Sequence, residues 1–204
     1  MKKLFVMAFL LVSSLSLLQA AVKHPSFTLT DINGANYEIK GKEEGLDIKG
    51  MEGKIVFLEF FGHKCPPCLA SIPHLINFQS KYKDRVVVMS VEVQGFDNEK
   101  LSAFAKEKGM NYILFSEEAA GDFVNYISQR AEWNGGIPFL VVIDEKGDVQ
   151  FIQAGMLPEG AYDEIVRQLT PAADQNVTAQ APATPAPVSM PAAPVTASEN
   201  NQSK

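Results

Sequence analysis

The feature that most constrains the fold is a C-x-x-C pair placed between an apolar run and a stretch of helical pattern. Cys65 and Cys68 are the only cysteines in the chain, and two prolines separate them. Apolar residues dominate 55–61 just before the pair, and the pattern of 69–82 just after it predicts a helix. The sequence therefore predicts a buried strand, a tight turn and a helix, with the cysteine pair where the helix begins.

A cysteine at the start of a helix is well placed for redox chemistry. Unpaired backbone N–H groups and the positive end of the helix macrodipole favour thiolate over thiol there. Cys65 is therefore the predicted nucleophile. We expect Cys68, one turn further on, to be buried and to attack a mixed disulfide formed at Cys65. The two prolines fit this place, because the first helical positions do not need their N–H groups.

Two other uses of the cysteine pair remain open, a static disulfide and half of a zinc site. A zinc site needs two more ligands, and the only histidines are His24, His63 and His74. None of them belongs to an H-x3-5-H pair, and there is no second C-x-x-C. The pattern favours redox chemistry over both alternatives, and it predicts no metal site and no cofactor.

The first residues are typical of a secretory signal. Lys2 and Lys3 precede the apolar segment 4–18, and small residues follow it. We therefore predict a cleaved signal peptide at 1–20 and a periplasmic protein. The apolar segment is shorter than the ~20 residues that span a bilayer, so we expect no stable membrane insertion. The net charge of −6 argues against nucleic acid as a partner.

The composition changes near the C-terminus. Half of the chain's 12 prolines lie between 171 and 194, among Ala, Thr, Ser and Asn. Such a segment cannot bury enough apolar surface to offset the entropy of ordering. We predict a disordered tail at 170–204 and one folded domain at 24–169.

Within the domain, the pattern predicts strands that alternate with helices. Strands are predicted at 26–30, 37–39, 55–61, 85–93, 112–115, 139–143 and 149–154, and helices at 66–82, 98–108, 119–132 and 159–169. The first two strands form a predicted hairpin with Asn33-Gly34 in its turn. The Gly- and Glu-rich segment 41–54 is predicted to be a loop with little regular structure. This order predicts an α/β fold with a mixed central sheet, helices on both faces and an N-terminal hairpin.

Several motifs carry a resemblance to a known family. They are the run 56–68 that ends in the C-x-x-C pair, Pro73, the segment 136–139 (Gly-Ile-Pro-Phe), the segment 143–147 (Ile-Asp-Glu-Lys-Gly) and the N-terminal segment 27–34. Together they resemble the thioredoxin superfamily, in particular its exported TlpA/ResA-type branch. The resemblance implies a thioredoxin-like fold and thiol–disulfide oxidoreductase activity on cysteines of exported proteins, more as a reductase than as an oxidant. It also implies a membrane donor of thiols of the DsbD or CcdA type.

The resemblance assigns roles to further residues. In its oxidised form the pair would be a Cys65–Cys68 disulfide, and Pro138 falls where the family has a cis-proline beside that disulfide. A cis bond there leaves the backbone of Ile137 free to pair with an extended substrate. Glu59 stands where thioredoxins carry a buried Asp, so it is predicted to move a proton at Cys68 during resolution. Lys64 replaces the usual aromatic residue and would place a cation near the thiolate, or it is simply a solvated lysine.

Two functions of other classes stay open beside the enzyme. A Sco-like copper chaperone has the same fold, but such proteins pair a C-x3-C with a distant downstream histidine. This chain has C-x2-C, and no histidine follows His74. A non-catalytic interaction module on the same fold is the other alternative.

Asn176 is a candidate glycosylation site. It belongs to an N-x-[ST] pattern, and an acidic residue, Asp174, lies two positions before it. This resembles the acceptor sequence of bacterial periplasmic oligosaccharyltransferases, and we expect a flexible tail to expose it.

Overall fold

The computed structural model describes residues 24–158 and 160–170. The predicted signal peptide, Asn176 and the predicted tail beyond Thr170 lie outside these residues. The described strands are β1 Ser26–Thr30, β2 Asn36–Gly41, β3 Leu46–Ile48, β4 Ile55–Phe61, β5 Val86–Glu92, β6 Ile113–Ser116, β7 Phe139–Ile143 and β8 Val149–Ala154. The described helices are α1 Pro66–Lys81, α2 Asn98–Lys108, α3 Glu117–Arg130 and α4 Ala161–Leu169.

The central sheet has five strands in the order β6-β5-β4-β7-β8. β4 pairs in parallel with β5, and β5 in parallel with β6, whereas β7 is antiparallel to both β4 and β8. All seven residues of β4 are buried, as expected for a strand covered on both faces. The predicted mixed sheet is therefore confirmed, with the strand that leads to Cys65 at its centre.

Side chains of β4 alternate between two apolar cores, one on each face of the sheet. Phe57 packs with α1, α2 and α4 on one face, where the cysteine pair also lies. Phe60 packs with α3 and the N-terminal strands on the other face. Helices on both faces were predicted, and the two cores follow from the period-2 alternation of a strand that is apolar on both faces except at Glu59.

The N-terminal hairpin is present, with β1 and β2 antiparallel. Asp31 closes its turn by accepting hydrogen bonds from the backbone N–H groups of Asn33 (2.9 Å) and Ala35 (2.8 Å). Gly34 has φ +84°, a left-handed conformation that favours glycine.

The prediction of a loop at 41–54 was wrong. Residues Leu46–Ile48 form β3, which pairs antiparallel with β2 and completes a three-stranded sheet. Gly45, which was predicted to lie in a loop, packs directly against the backbone of Gly147. A Cβ at position 45 would collide with the backbone oxygen of Gly147. The alternation of Leu46, Asp47 and Ile48 is too short to be distinguished from a loop by pattern alone.

The helices begin and end close to the predicted residues. Asp97 caps α2 by accepting from the backbone N–H of Lys100 (2.8 Å), and Gly109 ends it with φ +68°. Helix α3 begins two residues earlier than predicted, because Ser116 accepts from the N–H of Ala119 and acts as its cap. Within the part of the chain that is described, no helix is long and apolar enough to cross a bilayer.

Candidate active site

A disulfide between Cys65 and Cys68 lies at the N-terminus of α1, at the carboxyl end of the central strand β4. Their Cα atoms are 5.2 Å apart, and Cys65 is the N-cap residue, its Sγ accepting from the backbone N–H of Cys68 (3.3 Å). Cys65 retains 6% exposure, whereas Cys68 is completely buried. Of the two sulfurs, Cys65 is therefore the one on the solvent side.

The peptide bond between Ile137 and Pro138 is cis and lies beside this disulfide. The carbonyl oxygen of Ile137 is 3.7 Å from Sγ of Cys65. Trp133 fixes the preceding loop, because its indole N–H donates to the carbonyl of Gly136 (2.6 Å). Its ring also stacks on Phe139, with centroids 5.1 Å apart. The cis-proline loop is thus held against the cysteine pair by an aromatic anchor that sequence reasoning did not identify.

Glu59 is a buried carboxyl group in the middle of β4, with 4% exposure. Burial raises its pKa from 4.5 to about 7, against the opposing effect of hydrogen bonds from Ser90 and Ser71. The hydroxyl of Ser90 donates to Oε2 (3.0 Å), and Oγ of Ser71 lies 3.3 Å from Oε1. Glu59 can therefore gain or lose a proton near neutral pH without leaving its place.

Ser71 links Glu59 to the backbone of the buried cysteine. Its Oγ is 2.8 Å from the carbonyl oxygen of Cys68 and 3.3 Å from Glu59 Oε1. A hydroxyl has one hydrogen, and the carbonyl can only accept. When Ser71 donates to Cys68, its oxygen can accept the proton of a neutral Glu59. The contact then suits the protonated carboxyl group that burial favours.

Two tyrosines, Tyr112 and Tyr162, stand near Glu59, and neither belongs to a motif that could have identified it. Burial raises the pKa of Tyr112, and the charge of Glu59 raises it further. The same two causes raise the pKa of Tyr162. In the part of the chain that is described, the buried hydroxyl of Tyr112 has no hydrogen-bond partner. Both phenols stay neutral at physiological pH, so Glu59 is the one of these three groups that titrates near neutral pH.

A second buried carboxylate, Glu92, was missed by sequence reasoning because it ends a strand, where an exposed acid is the usual finding. It is completely buried and accepts from Nδ1 of His63 at 2.7 Å. It also accepts from the backbone N–H groups of His63 (3.4 Å), Gln94 (3.1 Å) and Phe96 (2.9 Å). The His63 ring stacks on Phe96 with centroids 3.6 Å apart. Glu92 thereby joins the segment before Cys65 to the segment after β5.

Lys64 is exposed, and its backbone N–H donates to Oε1 of Gln94 (2.8 Å). His63 is engaged by Glu92 and not by the cysteines. Among residues 24–158 and 160–170, no cluster of three or more His, Cys, Asp or Glu side chains could hold a metal ion.

Comparison with known proteins matches the family model described as Redoxin to residues 19–169. The thiol-disulfide oxidoreductase ResA of Halalkalibacterium halodurans is 25% identical over 158 residues, which cover 78% of this chain and 81% of that protein. The thioredoxin-like protein YneN of Bacillus subtilis is 24% identical over 150 residues, covering 72% of this chain and 78% of that protein.

Solved structures agree on the fold. The crystal structure of a thiol:disulfide interchange protein of the thioredoxin family from Chlorobium tepidum TLS matches with a TM-score of 0.57. It is 24% identical, and the match covers 71% of this chain and 93% of that one. The predicted thioredoxin-like fold is therefore confirmed.

Proposed function

The chain belongs to the redoxin family and is an oxidoreductase of the thioredoxin superfamily, and we propose that its Cys65/Cys68 pair reduces disulfides in exported polypeptides. The observation that carries this proposal is the arrangement of the pair. The more exposed sulfur caps a helix beside a cis-proline loop, and the buried sulfur stands one turn behind it.

The reaction proceeds by two exchanges at sulfur. The Cys65 thiolate attacks one sulfur of the substrate disulfide, the substrate S–S bond breaks, and the departing sulfur leaves as a thiolate that takes up a proton. Cys68 then loses its proton and attacks Sγ of Cys65. The mixed disulfide breaks, the second substrate thiol is released, and the enzyme is left with the Cys65–Cys68 disulfide. Two electrons have passed to the substrate.

Glu59 serves the second exchange. The Cys68 thiol is buried and must lose a proton before it can attack. A carboxyl group whose pKa burial raises to about 7 can accept that proton near neutral pH. Support comes from Ser71, which touches Glu59 and is hydrogen-bonded to the Cys68 backbone, so the carboxyl group faces the segment that carries the thiol. We propose that water carries the proton over the remaining distance.

The substrate lies over Cys65 as an extended peptide that pairs with the backbone of Ile137. Support comes from the Ile137 carbonyl, which points to the cysteine and lies 3.7 Å from its Sγ. Pro138 follows Ile137 and has no N–H group, so the only backbone groups that this dipeptide offers to the substrate are those of Ile137 and the Pro138 carbonyl. The exposed Lys64 would add a cation beside the thiolate.

We further propose export through the signal segment 1–20 and regeneration by a membrane donor of thiols of the DsbD or CcdA type. The reductase direction is supported by the residues between the cysteines. A strongly oxidising DsbA-type protein usually has a histidine there and a large helical insertion, whereas this chain has Pro66 and Pro67 at the start of α1.

Insulin reduction tests the proposal. The full chain should accelerate precipitation of insulin by dithiothreitol, and Cys65→Ser should remove the acceleration. No acceleration by the wild type, with the disulfide verified as reducible, would overturn the proposal in favour of a non-catalytic interaction module.

A further inference from the structure

The segment that follows β5 forms one side of the cleft at Cys65. β5 is parallel to β4, and Glu92 is paired with Phe61, so the segment after Glu92 leaves the sheet at the edge from which the cysteine loop starts. β7 is antiparallel to β4, so the cis-proline loop reaches the same edge on the opposite side of β4. Cys65 therefore lies between the cis-proline loop and the segment 93–96.

Glu92 fixes the position of this segment. Its buried carboxylate accepts hydrogen bonds from the backbone N–H groups of Gln94 and Phe96, and from both the backbone and the ring of His63. Hydrogen bonds to a charged, buried acceptor are stronger than neutral ones. Gln94 is therefore carried on a rigid turn although it is itself exposed.

The side chain of Gln94 lies across the backbone of the cysteine loop. A Cβ built on Gly62 would collide with its Cγ, Cδ and Oε1 atoms, so this position of the glutamine requires glycine at 62. The amide then reaches the residue next to the nucleophile, because Oε1 accepts from the backbone N–H of Lys64 (2.8 Å). The backbone N–H of Lys64 can donate only to the oxygen of the Gln94 amide and not to its nitrogen. This contact therefore fixes the orientation of the amide group, with the nitrogen directed away from Lys64.

That nitrogen has two N–H donors, and no residue in the described ranges 24–158 and 160–170 accepts from them. The Gln94 amide is held beside Lys64, one residue from Cys65, and the strand order β5-β4-β7 places it across β4 from the cis-proline loop. An extended polypeptide bound over Cys65 presents main-chain carbonyl oxygens every second residue toward each side.

We propose that Gln94 is a substrate-positioning residue whose amide nitrogen donates a hydrogen bond to a main-chain carbonyl of the polypeptide that carries the disulfide. The inference rests on the proposed function and adds to it a second point of backbone recognition, opposite Ile137. It makes the enzyme selective for disulfides in polypeptides over small disulfides, without reading the side chains of the substrate.

The test compares two probes in single turnovers of the pre-reduced full chain. One is a cyclic disulfide peptide, and the other is 2-hydroxyethyl disulfide, which contains no carbonyl group. The readout is the ratio of the two second-order rate constants. We expect Gln94→Ala to lower this ratio about 3- to 10-fold, the effect of losing one net hydrogen bond. Gln94→Glu keeps an oxygen that accepts from the N–H of Lys64 but puts a second oxygen in place of the amide nitrogen, so the donor to the substrate is lost. This variant should therefore lower the ratio at least as much as Gln94→Ala.

Gly62→Ala supplies an independent variant, because it displaces the Gln94 side chain without changing its chemistry. It should lower the ratio to the level of Gln94→Ala, and the double variant should be no worse than either single one. Gln168→Glu, an exposed glutamine of α4, is the matched control and should keep the ratio of the wild type.

Outcomes separate this inference from the proposed function. A wild type that reduces neither probe overturns both. If the wild type reduces both probes, an unchanged ratio in the two Gln94 variants overturns only the role of Gln94. An equal fall in the rate constants for both probes also overturns only the role of Gln94, because such a fall indicates a displaced loop and not the loss of a contact with the peptide.

Discussion

Replacing Glu59 by Gln should change how the stability of the protein depends on pH. Burial raises the pKa of this carboxyl group from 4.5 to about 7. Below about pH 4.5 the group is protonated in both the folded and the unfolded chain, so its titration does not lower the free energy of unfolding. As the pH rises toward 7, the unfolded chain releases the proton while the folded chain retains it, so the free energy of unfolding falls. Above about pH 7 the folded protein must hold a buried charge.

The size of the effect follows from the shift. A pKa difference of about 2.5 corresponds to about 3 kcal/mol of unfolding free energy, lost between about pH 4.5 and about pH 8. The amide of Gln does not titrate, so Glu59→Gln should lose about 3 kcal/mol less than the wild type over the same range. The amide should be tolerated at any pH, because its N–H can donate to Oγ of Ser71 while its oxygen accepts from the hydroxyl of Ser90.

Urea unfolding of the oxidised wild type and of oxidised Glu59→Gln, at about pH 4.5 and about pH 8, measures how much unfolding free energy each protein loses between the two pH values. Glu107→Gln, which removes a carboxylate that is 68% exposed, is the matched control and should run parallel to the wild type. Parallel curves for the wild type and Glu59→Gln would refute the reasoning, since they would mean that the buried carboxyl group titrates alike in folded and unfolded chains.

Three further predictions concern the cysteines, the fold and the tail. Cys68→Ser should accumulate mixed disulfides at Cys65 on non-reducing gels, because attack remains and resolution is lost; a variant that traps no partner would argue against these roles. Gly45→Ala should lower the urea-derived stability by about 1–3 kcal/mol, because its Cβ meets backbone that cannot move aside, whereas Gly121→Ala, with open space around it, should not. Protein from a host with the periplasmic transferase should carry a glycan-sized mass increment that disappears in Asn176→Gln; an unmodified mass in that host would exclude the site.

The fold could be predicted where pattern and local chemistry agree. The six apolar residues of β4, the cap at Asp97 and the glycine at Gly109 each determine structure locally. The segment 41–54 could not be predicted, because glycines usually indicate a loop. That Gly45 instead allows a close approach to the backbone of Gly147 is visible only in the folded chain. β3 depends on its pairing with β2 and on no signal of its own.

The site divides in the same way. The C-x-x-C pair at a helix start carries its own chemical meaning, whereas the cis-proline and the buried Glu59 were expected from the resemblance to thioredoxins. The contacts of Glu92 with His63 and of Gln94 with Gly62 depend on two loops that only the parallel pairing of β4 and β5 brings together. No spacing along the chain encodes such a contact.

The most direct test of the reductase assignment is the redox state of the Cys65/Cys68 pair in growing cells. Acid quenching followed by alkylation with a mass-shifting maleimide reads that state for the full-length protein. The account predicts that most of the pair is a dithiol, that it shifts to the disulfide when the membrane donor of thiols is removed, and that Cys65→Ser shows no such shift. A pair that remains a disulfide in cells with an intact donor would contradict the assignment.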